Sequence, residues 1–317
     1  MKHIQETATQ IRSEIKKVIA GQESLIEQML VALFAGGHVL LQGVPGVAKT
    51  LSAKTLAHLI NASFKRIQFT PDLMPSDIIG TRVFDLSKSQ FYTQKGPIFA
   101  NIILADEINR APSKTQSALL EVMEERQVTI EGETFIFQEP FMILATQNPI
   151  EFEGTYGLPE AQLDRFMLKI LINYPKEEDE LTILQRYNQG FTASEFLTYA
   201  QLKPVLEPQE IVSIRKDIQQ IKVEEGILRY INNIVRATRD DESLFMGSSP
   251  RGGIALLLTS KTYAALQGRD YVTPDDVKQM ALPVLRHRVV LRPEAEIDGL
   301  KPDDALQERI QKIEVPR

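Results

Sequence analysis

The chain has 317 residues, 43% of them hydrophobic and 25% charged, with no cysteine. Such a composition belongs to an ordinary globular protein with room for two domains, and it excludes disulfides and thiolate metal sites. The formal net charge of −6 and sequence pI near 5.5 count against broad electrostatic binding to nucleic acid.

The N-terminus opens with a polar, amphipathic stretch that lacks an apolar signal-peptide core. The most apolar window, Met29 to Leu41, is interrupted by Gly36, Gly37 and His38 and falls short of the ~20 residues that span a bilayer. The expectation is a cytoplasmic protein with no membrane insertion.

Ile11, Ile15, Val18 and Ile19 recur at helical spacing, and Gly21 ends that helix. A second helix runs from Leu25 to Gly36-Gly37. Val39-Leu40-Leu41 then reads as a buried strand, followed by a glycine loop and a helix from Leu51 to Ile60. Ile102–Leu104, Met142–Leu144 and Met167–Ile172 read as strands of the same sheet, with Arg66–Phe69 as a weaker fifth. Helical patterns lie between most of them, as in a parallel α/β sheet. Val83–Phe99 and Gln127–Phe141 interrupt the alternation as hairpins, the second turning near Glu131-Gly132-Glu133. After Tyr174-Pro175 the β signal disappears. Helices are expected at 176–187, 208–220, 224–239, 249–267 and 274–282, with Ser249-Pro250 and Thr273-Pro274 as start signals. The expected division is an α/β core over 1–190, a linker over 191–207 and a helical lid over 208–317.

Gly43-Val44-Pro45-Gly46-Val47-Ala48-Lys49-Thr50 sits between a predicted strand and a predicted helix, the setting of a phosphate-binding loop. Its backbone N–H groups and the helix dipole suit phosphates. Lys49 is expected to reach the β- and γ-phosphates of ATP, and the Thr50 hydroxyl to bind Mg²⁺. Leu51 continues the nucleotide-binding segment. Ala48 replaces the glycine usual before the lysine, which is tolerable if its backbone stays in the ordinary helical region. Downstream, the apolar run Ile102–Ala105 ends in Asp106-Glu107. Adjacent carboxylates at the end of a buried strand are costly unless they hold a cation or do acid–base chemistry. Asp106 is expected to hold Mg²⁺ through its water shell and Glu107 to polarise the attacking water.

Asp106-Glu107-Ile108-Asn109-Arg110-Ala111 and Lys114–Glu121 closely resemble the MoxR family of AAA+ ATPases. The phosphate loop with its alanine, Leu158–Phe166, Ser249-Pro250-Arg251 and Leu285–Pro293 match as well. The resemblance covers nearly the whole chain. It implies an AAA+ P-loop core with a parallel sheet and β-hairpin insertions, followed by an all-α lid. It also implies ATP/ADP and Mg²⁺ as cofactors and nucleotide sites shared between neighbours in a homo-oligomeric, usually hexameric, ring. The usual role is chaperone-like remodelling or activation of client proteins, often with von Willebrand A domains, and the hairpins would face the pore or the client. By the same resemblance Asn148 orients the water, and Val18, Ile19 and Gly21 border the adenine. Arg165 is expected to be the arginine finger inserted into the neighbour's site, with Arg110 and Arg126 as alternatives. Arg251, at the second position of its helix, opposes the macrodipole unless an anion lies nearby; it is expected to touch the γ-phosphate of its own subunit. A chelatase-like metal-insertion motor and a nucleic-acid motor are the alternative functions. The runs Glu121–Arg126 and Lys176–Glu180 are expected to be solvated helix faces, and His38 a packed residue rather than a ligand.

Overall fold

The structure is a computed structural model and describes residues 1–149, 156–193 and 202–316. Residues 194–201, the middle of the expected linker, lie outside the described residues.

Two N-terminal helices, α1 (Lys2–Val18) and α2 (Glu23–Ala35), precede β1 (Val39–Gly43) and α3 (Lys49–Leu59). Next come β2 (Phe64–Gln68), the short α4 (Pro75–Ile79), the hairpin β3 (Gly80–Asp85) and β4 (Gln90–Lys95), and β5 (Ile102–Asp106). Helix α5 (Ser113–Glu125), the hairpin β6 (Gln127–Ile130) and β7 (Glu133–Ile136), and β8 (Met142–Gln147) follow. A short α6 (Glu160–Leu163), β9 (Leu168–Ile172) and α7 (Glu177–Asn188) complete this half.

Five of these strands form one parallel sheet in the order β2-β5-β8-β1-β9. Its central strands are buried on both faces and read as continuous apolar runs. Their side chains alternate between two cores. Leu41, Leu104 and Leu144 face α1–α3 and the C-terminal helices; Leu40, Ile103 and Ile143 face Leu119 and Leu120 of α5. Strand β2, at an edge, buries only Ile67; it begins two residues before the expected run and ends one residue before its end. Hairpin β6–β7 turns at Glu131 and Gly132, both with positive φ (50° and 88°), as two-residue hairpin turns require.

The second half is helical: α8 (Pro208–Gln219), α9 (Glu225–Ala237), α10 (Pro250–Leu266), α11 (Pro274–Leu285), α12 (Pro293–Ile297) and α13 (Pro302–Gln311). Ser249 and Thr273 cap α10 and α11 with their side-chain oxygens. The expectation that β structure ends at Tyr174-Pro175 is corrected by an antiparallel ladder pairing β10 (Leu244–Met246) with β11 (Val290–Leu291). These segments are too short to carry a periodic signal, and only their pairing makes them strands. Leu256, Val277 and Leu306 share a continuous apolar core with Ile11, Leu30 and Leu33, so the C-terminal helices pack onto the N-terminal pair. Among the described residues no helix is long and apolar enough to cross a membrane.

Candidate active site

In an open parallel sheet the carboxyl ends of the strands form the ligand crevice, and three adjacent ends converge here. Strand β1 delivers the loop Gly43–Thr50, β8 delivers Asn148 and β5 delivers Asp106-Glu107. Because Gln42 pairs with Gln147, buried Asn148 stands level with the start of the phosphate loop. The three segments, distant in sequence, therefore meet in one place.

The loop turns left-handed at Gly46 (φ 85°) and Ala48 (φ 63°). The condition under which alanine is readily tolerated here, an ordinary helical backbone, is thus not met. The position calls for the φ that glycine supplies freely, and alanine bears about 1–2 kcal/mol of steric strain there. Left-handed residues in such a loop help form an anion-binding concavity, and a Cβ added at Gly46 would meet nothing within 4 Å. Lys49 Nζ donates to the Gly43 carbonyl at 2.7 Å, which holds it over the loop.

Asp106 is buried at the end of β5. Its Oδ1 accepts from Thr146 Oγ1 at 2.6 Å, and its Oδ2 accepts from Arg66 Nη2 at 2.6 Å and Nε at 3.0 Å. Thr146 in turn accepts the Glu107 N–H at 2.8 Å. Glu107 has a left-handed backbone (φ 58°, ψ 51°), a sparsely populated state for a non-glycine that clusters at functional sites. Its Oε2 accepts from Gln68 Nε2 at 2.7 Å and lies 3.2 Å from Arg110 Nε. Arg66, Gln68 and Thr146 escape a motif reading. Arg66 and Gln68 sit on an edge strand without a strong pattern, and their alternation toward the β5 carboxylates is the only sequence signal that points to them.

Beside the loop lies a cavity of about 230 Å³ lined by Val18, Ile19, Gly46, Val47, Ala48 and Leu51 on one side. Ile183, Arg186, Tyr187 and Phe191 of α7 and its end line the other. Arg186 donates to the Lys16 and Lys17 carbonyls at 3.0 and 3.2 Å, tying α7 to the end of α1. The α7 side of this wall is absent from the motif reading because its residues carry no motif. Gly21 does not line the cavity; it makes the turn after α1 with φ 71°, and a Cβ there would lie 2.7 Å from Asp179 Oδ2. The donor set fits a nucleotide and a hard cation: a loop shaped for phosphates, an apolar slot for a base, and oxygens from Thr50 and Asp106.

The two remaining arginines lie at the other end of the sheet. Met167, just before β9, bonds its N–H to the His38 carbonyl just before β1. Residues 164–167 are therefore one strand length, about 13 Å at ~3.3 Å per residue, from the phosphate loop. Helix α5 runs back from the Glu107 end, so Glu124 in its last turn reaches the same far end. Glu124 Oε1 accepts from Arg251 Nη2 at 2.7 Å, and Glu124 Oε2 lies 3.8 Å from Arg165 Nε. The anion that offsets the place of Arg251 in the first turn of α10 is Glu124. Glu121, Glu124 and Glu125 are exposed, as expected of a solvated face, and Glu124 in addition pairs with these two arginines. Arg126 is committed within the chain, bonding Glu139 and the Gly36 carbonyl.

Asp164 holds the lid at this end. It accepts from buried Arg288 Nε and from Ser249 Oγ, both at 2.8 Å, while Arg288 also donates to the Phe166 carbonyl at 2.6 Å. Gly252 permits the approach, since a Cβ there would stand 2.1 Å from Ser248 Oγ.

A phosphate loop and a carboxylate pair on neighbouring strands of a parallel sheet, followed by a helical lid, define an ATPase of the AAA+ class. The family "ATPase family associated with various cellular activities (AAA)" matches residues 38–168, and "AAA lid domain" matches residues 236–310. The chain is 45% identical to "Chaperone MoxR1" of Mycobacterium tuberculosis, over 96% of this chain and 81% of that one. It is 44% identical to "Uncharacterized protein YeaC" of Bacillus subtilis, over 95% and 92% of the two chains. A crystal structure of a Cytophaga hutchinsonii protein superposes with a TM-score of 0.91 at 41% identity, covering 99% of this chain and 96% of that one. The chain belongs to the MoxR family of AAA+ ATPases.

Proposed function

We propose that this protein hydrolyses ATP with Mg²⁺ in a cytoplasmic homo-oligomeric ring, as a hexamer, and uses the cycle to remodel or activate client proteins. The observation that carries the reading is the convergence of Lys49, Asp106, Glu107 and Asn148 at three adjacent strand ends. Lys49 and the loop backbone bind phosphates, Thr50 and Asp106 hold the cation, and Val18, Ile19 and Leu51 flank the base. Glu107, oriented by Gln68, takes the proton of the attacking water while Asn148 positions it. Bound Mg²⁺ neutralises charge on the phosphates.

Arg165 and Arg251 share Glu124 at the end remote from their own loop. That geometry favours both acting on a neighbour's nucleotide, where they would stabilise charge in the transition state. The hairpin β3–β4 exposes Phe84, Phe91 and Tyr92, and Leu86 at its tip is 86% exposed. Such an apolar projection suits contact with a client, and a von Willebrand A domain protein is the proposed client class. We also propose the division into a core (1–190), a linker (191–207) and a lid (208–317).

The test is ATPase activity per subunit across a wide range of protein concentrations with Mg²⁺. Specific activity that rises with concentration is expected, because subunits complete one another's sites. The absence of hydrolysis at every concentration, with and without a client, would overturn the reading.

A further inference from the structure

Strand β9 is the outer strand of the sheet beside β1, with Lys169 opposite Leu40 and Leu171 opposite Gln42. Lys169 and Leu171 point to one face, away from the core that takes Leu168, Ile170 and Ile172. On that face a cavity of about 460 Å³ opens between β9, the phosphate-loop residues Gly43 and Val44, Pro149, and the start of α13. Lys169, Arg286 and Lys301 all line it, and among the described residues the only acid on its wall is Asp303.

Asp303 is already committed. It takes a two-pronged ion pair from Arg286, at 2.8 and 3.0 Å, and Arg286 also donates to the Lys169 carbonyl. The Lys169 and Lys301 ammonium groups have no hydrogen-bond or ion-pair partner among the described residues. Burial, and then the neighbouring Arg286, push the Lys169 pKa below the usual lysine range, against a smaller opposite pull from Asp303. A largely buried ammonium whose nearest acid is already bonded to another cation costs free energy that a further anion would recover. Apolar replacement would be the cheaper choice at an edge strand if packing were the only demand.

We infer that this cavity is a second oxyanion site, distinct from the phosphate loop but adjoining it, and that its ligand is inorganic phosphate. Lys169 and Lys301 supply the charge-assisted hydrogen bonds, and Arg286, held by Asp303, adds positive potential. The cavity shares Gly43 and Val44 with the loop and abuts Pro149, the residue after Asn148. It therefore lies where phosphate released at the loop can be taken up before it reaches bulk solvent. The identification of the ligand as product phosphate rests on the hydrolysis proposed above; the binding itself does not.

The test is equilibrium dialysis of labelled inorganic phosphate against the full chain saturated with ADP and Mg²⁺, so that the loop is filled. One phosphate per subunit is expected. Lys169→Met should weaken it at least about tenfold by removing a charge-assisted bond, and Lys301→Ala should weaken it by less, with ADP affinity unchanged in both. The methionine variant should also be the more heat-stable protein when phosphate is absent, which separates lost binding from lost folding. No phosphate bound to the ADP-loaded wild type, or equal binding by wild type and both variants, would overturn the site. A chain that never turns over ATP would still give the phosphate isotherm, so the two readings fail separately.

Discussion

Gln68 Nε2 lies 2.7 Å from Glu107 Oε2, so a side chain on the edge strand β2 holds the acid that ends β5. The same strand contributes Arg66 to Asp106. The two carboxylates are thus oriented from outside their own motif, and each catalytic expectation depends on that support.

Glu107→Gln retains the shape and a hydrogen-bonding partner for Gln68 but removes the basic oxygen. Nucleotide affinity should persist, while turnover falls by about 10²–10⁴-fold, the usual contribution of a general base. Arg165→Ala should be as inactive by itself. Mixing the two inactive variants should restore partial activity, because one supplies an intact site and the other an intact arginine. Mixtures no more active than their components would remove Arg165 from the neighbour's site.

Ala48→Gly should stabilise the protein. Relief of the left-handed strain recovers about 1–2 kcal/mol, and the added freedom of the unfolded chain takes back about 0.4–1 kcal/mol. A net gain of roughly 0.5–1 kcal/mol is expected in urea unfolding. A loss would mean that the loop relaxes to accommodate the methyl group.

Asp164→Ala should destabilise the chain by about 3 kcal/mol, since it strands Arg288, whose side chain is 3% exposed, without its carboxylate. Thermal unfolding measures the loss. The same change frees Ser249 at the start of α10, so hydrogen exchange in the first turn of that helix should rise together with the drop in stability. Unchanged exchange there would argue against Asp164 as the tie between sheet and lid.

His38 should make stability depend on pH. Its Nδ1 accepts the Ile143 N–H at 3.0 Å and its Nε2 faces the Met123 carbonyl at 3.1 Å, an arrangement that fits only the neutral ring. Burial pushes its pKa from 6.5 down to about 4, and burial also pushes buried His287 well below its ordinary value. Between those limits the unfolded chain binds more protons than the folded one. Stability is therefore full above pH 6.5 and lost as pH falls toward 4, by on the order of 3 kcal/mol for His38. An NMR titration should find the His38 ring neutral at pH 5.5; a midpoint near 6.5 would contradict this.

Much of this protein is legible in its residues because local physics dictates it. Short apolar runs such as Ile102–Ala105 bounded by polar residues favour buried strands, and a proline after Ser249 or Thr273 favours a helix start. A glycine loop between strand and helix announces phosphate chemistry. Those signals depend on near neighbours in the chain, so the sequence alone determined the class of fold, the loop and the carboxylate pair; Asn148 was legible only through the resemblance of its motif to a known family. What the tertiary structure decided are contacts between segments far apart in the chain, which carry no periodic or motif signal. Arg66 and Gln68 reach the carboxylates only because β2 pairs with β5. Arg251 meets Glu124, 127 residues away, only because α5 runs back along the sheet and the lid docks at its far end. The left-handed turn at Ala48 is likewise imposed by the closure of the loop, against the preference of the residue that occupies it.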